Sequence, residues 1–232
     1  MNIRKFLSLI ALVIVPSVLA NPGLAEIRTY AVADFDRIYL SGAGTVRLSQ
    51  DGESTVKAKG STHTLDQLIV DASDGTLFIE SHDGDPDDLI LYLSVGELRE
   101  LVSNGGSIVL ADSLKVGDLT LEGKGAGSFR IQHLEADKLQ VSGYGATEFL
   151  LSGRVNRHVI DLAGSGDYHA GNLVSKSIEA SVSGVANVSL SVVELLDIHI
   201  SGAAHVRYVG SPFVSQKVSG AGSIKQDPGH SI

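Results

Sequence analysis

The chain has 232 residues and a formal charge of −9, with 43% apolar residues, 26 Gly and no Cys. The missing cysteines exclude a disulfide scaffold, a thiolate metal site and a cysteine nucleophile. The acidic balance argues against non-specific nucleic-acid binding, which needs clustered Lys and Arg, and the glycines lack the three-residue period of collagen.

Residues 1–25 read as a secretory signal peptide. Arg4 and Lys5 give a positive start, Phe6 to Leu19 is almost wholly apolar, and cleavage is expected after Ala20 or Ala25. The apolar run falls short of the ~20 residues that a bilayer span needs. No later segment is apolar enough either, so the sequence implies an exported product with no membrane span after cleavage. A cysteine-free exported chain fits a bacterial periplasm or cell surface.

Residues 26–98 read as an irregular β lobe. Gln67 to Ala72 and Thr76 to Glu80 are strand-like, with Asp74-Gly75 between them. That pattern fits an embedded antiparallel hairpin or irregular coils. An acidic run follows, and Asp83, Asp85 and Asp87 alternate as at the start of a calcium loop. The match is incomplete: position six is Asp88 rather than Gly, and position twelve is Ser94 rather than Glu. A solvated acidic turn is the plainer reading.

From residue 99 to 226 the chain repeats itself. Short Gly-centred phrases end at 44, 106, 127, 145, 166, 186, 204 and 222, and from 106 onward the steps are 18–21 residues. The first step, 62 residues, is close to three periods. The penultimate column is Gly42, Asn104, Gly125, Gly143, Gly164, Gly184, Gly202 and Gly220, which suggests a positive-φ turn in each copy. Four residues before the phrase end stand Leu40, Val102, Gly123, Val141, Leu162, Val182, Ile200 and Val218. Two residues after it stand Val46, Ile108, Phe129, Thr147, Tyr168, Val188, Val206 and Ile224. The residue before the first of these columns is polar from the third copy on: Glu122, Gln140, Asp161, Ser181, His199, Lys217. Apolar beside polar in every copy is the alternation of a half-buried strand.

Such a period is too short for a propeller blade and contains no helix. It fits an all-β parallel β-solenoid of nine or ten coils, right-handed by the usual crossover rule. Residues 227–232 form a polar tail, expected to cover the open end.

Phe35-Asp-Arg-Ile38, Ser41-Gly-Ala-Gly44, Asp74-Gly-Thr-Leu77, the Gly-Ala-Gly series and Tyr208-Val-Gly-Ser-Pro212 resemble a family of exported bacterial proteins. It is described as the putative auto-transporter adhesin head GIN domain, a domain of unknown function. The resemblance covers about residues 30–226 and implies a β-solenoid. It brings no catalytic or binding residues with it. An auto-transporter's membrane barrel would need further alternating strands, which the end of this chain does not supply.

The histidines show no metal-ligand spacing and read as surface residues. No Gly-x-Ser-x-Gly elbow or Gly loop before a helix is present. The Glu122–Lys217 column lacks carboxylates in adjacent coils, and Tyr39 and Tyr144 are expected to face outward. The reading is therefore an exported interaction module without catalysis or cofactor. Its partner would be an envelope or surface polymer or protein, not nucleic acid. The alternatives are a glycan-binding or glycan-cleaving β-helix and a self-associating structural protein.

Overall fold

The computed structural model describes residues 25–82 and 88–228. Residues 1–24, the calcium candidates Asp83, Asp85 and Asp87, and the end of the polar tail lie outside the described residues. In chain order come β1 (Glu26–Tyr30), β2 (Arg37–Ser49), β3 (Thr55–Gly60), α1 (Thr62–Asp66), β4 (Leu68–Ser73), β5 (Thr76–Ser81) and β6 (Ile90–Ser94). There follow β7 (Glu100–Gly125), β8 (Ser128–Gly145), β9 (Glu148–Gly164), β10 (Tyr168–Val182), β11 (Asn187–Gly202), β12 (His205–Val209), β13 (Phe213–Gly220) and β14 (Ser223–Gln226).

From β7 on, each coil lies parallel on the one before. β7 pairs with β2, then β8, β9, β10 and β11 follow in order, and β12 with β13 and then β14 complete the stack. This is a parallel β-solenoid of about six turns.

Alternation along the strands sends one ladder of side chains inward. Val46, Val109, Phe129, Phe149, Tyr168, Val188 and Val206 stand opposite one another, each at most 2% exposed. Burying one such side chain contributes about 1.5–3 kcal/mol. The Phe129 and Phe149 rings stack at 5.0 Å, and Tyr168 continues the series at 5.7 Å. The neighbouring ladder is smallest where these rings are largest. A Cβ on Gly143 would lie 3.1 Å from the Phe149 ring and 3.0 Å from Leu162, and one on Gly123 would strike the Thr147 side chain. Small residues there make room for large ones, which keeps the interior close-packed.

The corner after this ladder is built from backbone. Gly105 stacks on Gly42, then Gly125, Gly145, Gly164, Gly184, Gly202 and Gly220 follow, each against the carbonyl of the last. A Cβ on Gly164 would collide with the Gly145 carbonyl oxygen. The column needs glycine because neighbouring rungs approach here without room for side chains. Positive φ is a lesser requirement: Gly42, Gly125 and Gly220 have it, at 106°, 140° and 122°, but Gly164 and Gly184 do not.

The register corrects two members of the glycine column. Gly105 and Gly145 occupy it where the phrase alignment placed Asn104 and Gly143. Asn104-Gly-Gly-Ser107 and Gly143-Tyr-Gly145 each offer two frames, and a step that varies by up to three residues does not choose between them. With the frame corrected, Val109 and Phe149 replace Ile108 and Thr147 in the inward ladder, which is then wholly apolar. Ser103 replaces Val102 opposite Leu40, while Val141 moves to the ladder of Leu121 and Ile160.

Residues 51–98 contain both a hairpin and a coil. β4 and β5 pair antiparallel around Asp74-Gly75, whose φ values of 51° and 75° are those of a type I′ turn. β5 and β6 then pair parallel with the two halves of β2, forming one coil on its outer side. β4 covers the edge of β5, β3 covers β6 antiparallel, and β1 covers β3. The 62-residue step therefore holds one coil and a cap rather than three coils, so the solenoid is shorter than nine or ten coils. The cap is tied down by Asp88, which accepts from the Ser61 backbone N–H at 2.6 Å and the Thr64 hydroxyl at 2.8 Å beside the N-cap of α1. The Ser61 N–H, with the two hydroxyls, holds the Asp88 carboxyl below its ordinary range.

Candidate binding face

Five residues after each column glycine the chain points outward again, on the second half of each coil. The residues are Arg47, Leu110, Arg130, Leu150, His169, Ser189, Arg207 and Lys225. The coil of β5 and β6 extends the row through Tyr92, opposite Arg47, and the cap through Lys57, opposite Tyr92. From Lys57 to Arg207 a Lys, Arg or His side chain thus occupies every second rung: Lys57, Arg47, Arg130, His169, Arg207. Tyr92, Leu110, Leu150 and Ser189 stand between them.

Arg130 reaches Glu148 at 3.3 Å, a pair exposed on both sides and so weak. Lys57, Arg47 and Arg207 have no carboxylate within 4.0 Å among the described residues. Two shallow depressions open on this same face. One, of about 340 Å³, is lined by Arg47, Lys57, Tyr92 and Leu110 together with Asp51 and Asp112. The other, of about 270 Å³, is lined by Arg130, Leu150, Gln132 and His133. On a chain of charge −9 this face gathers three basic side chains without a carboxylate partner among the described residues, with Asp51 and Asp112 lining the same depression as Arg47 and Lys57.

The first half of each coil carries a different surface. Glu122, Asp161, Ser181, His199 and Lys217 lie on one outward row, with Ser142 in the rung where the phrase alignment placed Gln140. Tyr39 is half-buried on that side, stacked on Phe78 at 5.4 Å and donating to Glu100. Tyr144 is exposed. Among the described residues no three His, Asp or Glu side chains gather as a metal site. Asp88, the sixth residue of the calcium pattern, is committed to the cap.

One histidine is not on the surface. His158 is fully buried, with Nε2 2.6 Å from the Tyr168 hydroxyl and Nδ1 3.2 Å from Ser175 Oγ. Ser175 donates onward to the Leu173 carbonyl. One assignment satisfies every group: Tyr168 donates to Nε2 and the neutral ring donates from Nδ1. Burial pushes the His158 pKa down to about 3 and that of Tyr168 well above 10. Sequence reasoning missed this trio, because His158, Tyr168 and Ser175 come together only through the stacking of coils.

The basic row was hidden by the 62-residue step, which reads as three periods although Arg47 and Leu110 lie on neighbouring rungs. Counted from Asn104 and Gly143, the fifth residues are Val109 and Glu148 instead of Leu110 and Leu150, so the frame error misplaces the intervening residues but not the basic ones.

The family model described as "Putative auto-transporter adhesin, head GIN domain" matches residues 34–212. The chain belongs to that family. No curated protein matches it. A putative adhesin from Bacteroides fragilis NCTC 9343, solved by crystallography, is 26% identical with a TM-score of 0.84, covering 88% of this chain and 98% of that one. Two proteins of Parabacteroides distasonis ATCC 8503 share the fold at a TM-score of 0.69. They are a putative adhesin at 22% identity, covering 88% of this chain and 98% of its own, and a putative lipid binding protein at 21%, covering 88% and 97%. The family member described here is thus an adhesin-like β-solenoid domain. No helix among its described residues is long and apolar enough to cross a membrane.

Proposed function

We propose that this family member is an exported, non-enzymatic module of the bacterial cell envelope that holds an extended partner along its solenoid. The alternate-rung row of Lys, Arg and His side chains carries the reading. A rigid stack presents them at a fixed spacing, so they act as an array rather than as single charges. The adhesin-like family and the signal-like residues 1–25 support export.

The test is retention of the tagged protein on its own cell envelope. Protease added to intact cells digests a surface protein, and protection until lysis marks a periplasmic one. In the envelope fraction, reversing Arg47 and Arg207 together to Glu should release the protein. Equal retention of wild type and variant would remove this face from the function.

A second reading shares the face. Asp51 and Asp112 both line the larger depression, and glycoside hydrolysis uses two carboxylates in one cleft. New reducing ends with wild-type protein but not with Asp112→Asn would replace the non-enzymatic reading.

A further inference from the structure

We propose that the partner held on this face is an acidic polysaccharide whose carboxylates recur on every second sugar. The inference rests on the binding reading above and adds the ligand's chemistry. Adjacent parallel rungs are about 4.8 Å apart, so cations on alternate rungs repeat every ~10 Å. An extended pyranose chain advances close to one rung per sugar. Laid along the stack, such a chain would bring every second sugar to Lys57, Arg47, Arg130, His169 or Arg207.

The intervening sugars would then meet Tyr92, Leu110 and Leu150. These are apolar surfaces suited to the C–H faces of an uncharged sugar and costly for a charge. Arg47 and Lys57 line the depression around Tyr92 and Leu110, together with Asp51 and Asp112, and Arg130 lines the one around Leu150. Arginine suits the charged positions because its planar fork pairs with both oxygens of a carboxylate. From Lys57 to Arg207 the row has nine rungs, spanning about 40 Å, or about nine sugars.

A polymer charged at every unit fits less well. A nucleic acid or a polyuronate would set about a third of its charges against Tyr92, Leu110 and Leu150. Nor does the row offer the succession of aromatic platforms on which single-stranded bases stack.

The experiment titrates the folded protein with three decasaccharides of equal length. Hyaluronate oligosaccharide carries a carboxylate on every second sugar, its carboxyl-reduced form carries none, and oligogalacturonate carries one on each. Hyaluronate should bind in a salt-dependent way. Arg47→Gln and Arg207→Gln should each weaken it about tenfold, while Lys217→Gln on the other outward row leaves it unchanged. The carboxyl-reduced form should not bind. Equal or tighter binding of oligogalacturonate, or of a single-stranded DNA 10-mer, would overturn the spacing argument and leave a generic polyanion site. Failure to bind any of these probes, with envelope retention still lost in the Arg47 and Arg207 reversal, would overturn the glycan inference and keep the binding face. Loss of neither would end both.

Discussion

The stack from β7 onward and the lobe before it solve the same problem by opposite means. Each coil of the stack leaves a row of unpaired backbone groups that only another parallel coil satisfies. The lobe ends that series with antiparallel strands, β3 and β4 laid on β6 and β5. The stack tolerates no side chain at its glycine corner. Among its described residues the lobe has no such column beyond Gly42, and it relies on capping hydrogen bonds such as those of Asp88. The stack is therefore held by repetition and the cap by single contacts. Damage to one member should spread in the stack and stay local in the cap.

The largest effect should come from the corner. Gly164→Ala places a Cβ against the Gly145 carbonyl, and separating two rungs there should cost several kcal/mol. Gly117 belongs to the same stack but has nothing within 4 Å of its Cβ position, so Gly117→Ala should be close to neutral. Equal melting losses for the two would show that crowding does not explain the glycine column.

The next effect is that of acid on the stack. His158 is neutral when folded, with a pKa of about 3, and protonates near pH 6.5 when unfolded. Its contribution is present above pH 6.5 and is lost progressively as pH falls toward 3. Between pH 7 and pH 5 that loss should be about 2 kcal/mol. His158→Asn should flatten the stability slope over that window. A slope unchanged by the substitution would place the proton elsewhere.

The smallest effect should come from the cap. Asp88→Asn weakens the bonds from Ser61 and Thr64 and should cost about 1 kcal/mol. Hydrogen exchange should then rise in α1 and β3 while β8 to β10 stay protected. A uniform rise would mean that cap and stack unfold as one unit.

Much of the stack was legible because its rules are periodic. Phe129, Leu162, Val182, Ile200 and Val206 fall inward in the phrase alignment and in the structure alike. The same alignment failed at Asn104 and Gly143, where neighbouring glycines left the frame open. The cap was less legible. Asp74-Gly75 announced a turn, but nothing local to Thr76–Ser81 or Ile90–Ser94 says that these segments lie on the far side of a strand that precedes them. The binding face was illegible for a combined reason. Its row needs Arg47 and Leu110 on neighbouring rungs across the 62-residue step, and two of its members, Lys57 and Tyr92, join it only through the lobe before β7.

The place of β2 has a consequence for a chain delivered from its N-terminus. β2 is flanked on one side by β5 and β6 and on the other by β7, all of which come after it. The first coil to emerge is thus the second in the stack, and it waits with both edges bare until later chain arrives. By the time residue 98 has emerged, every strand that seals one side is available to it. Every later coil has a single surface on which to condense, so assembly runs in one direction and stops where the chain stops. Reach can then change through whole coils gained or lost at the growing end, leaving the sealed end as it is.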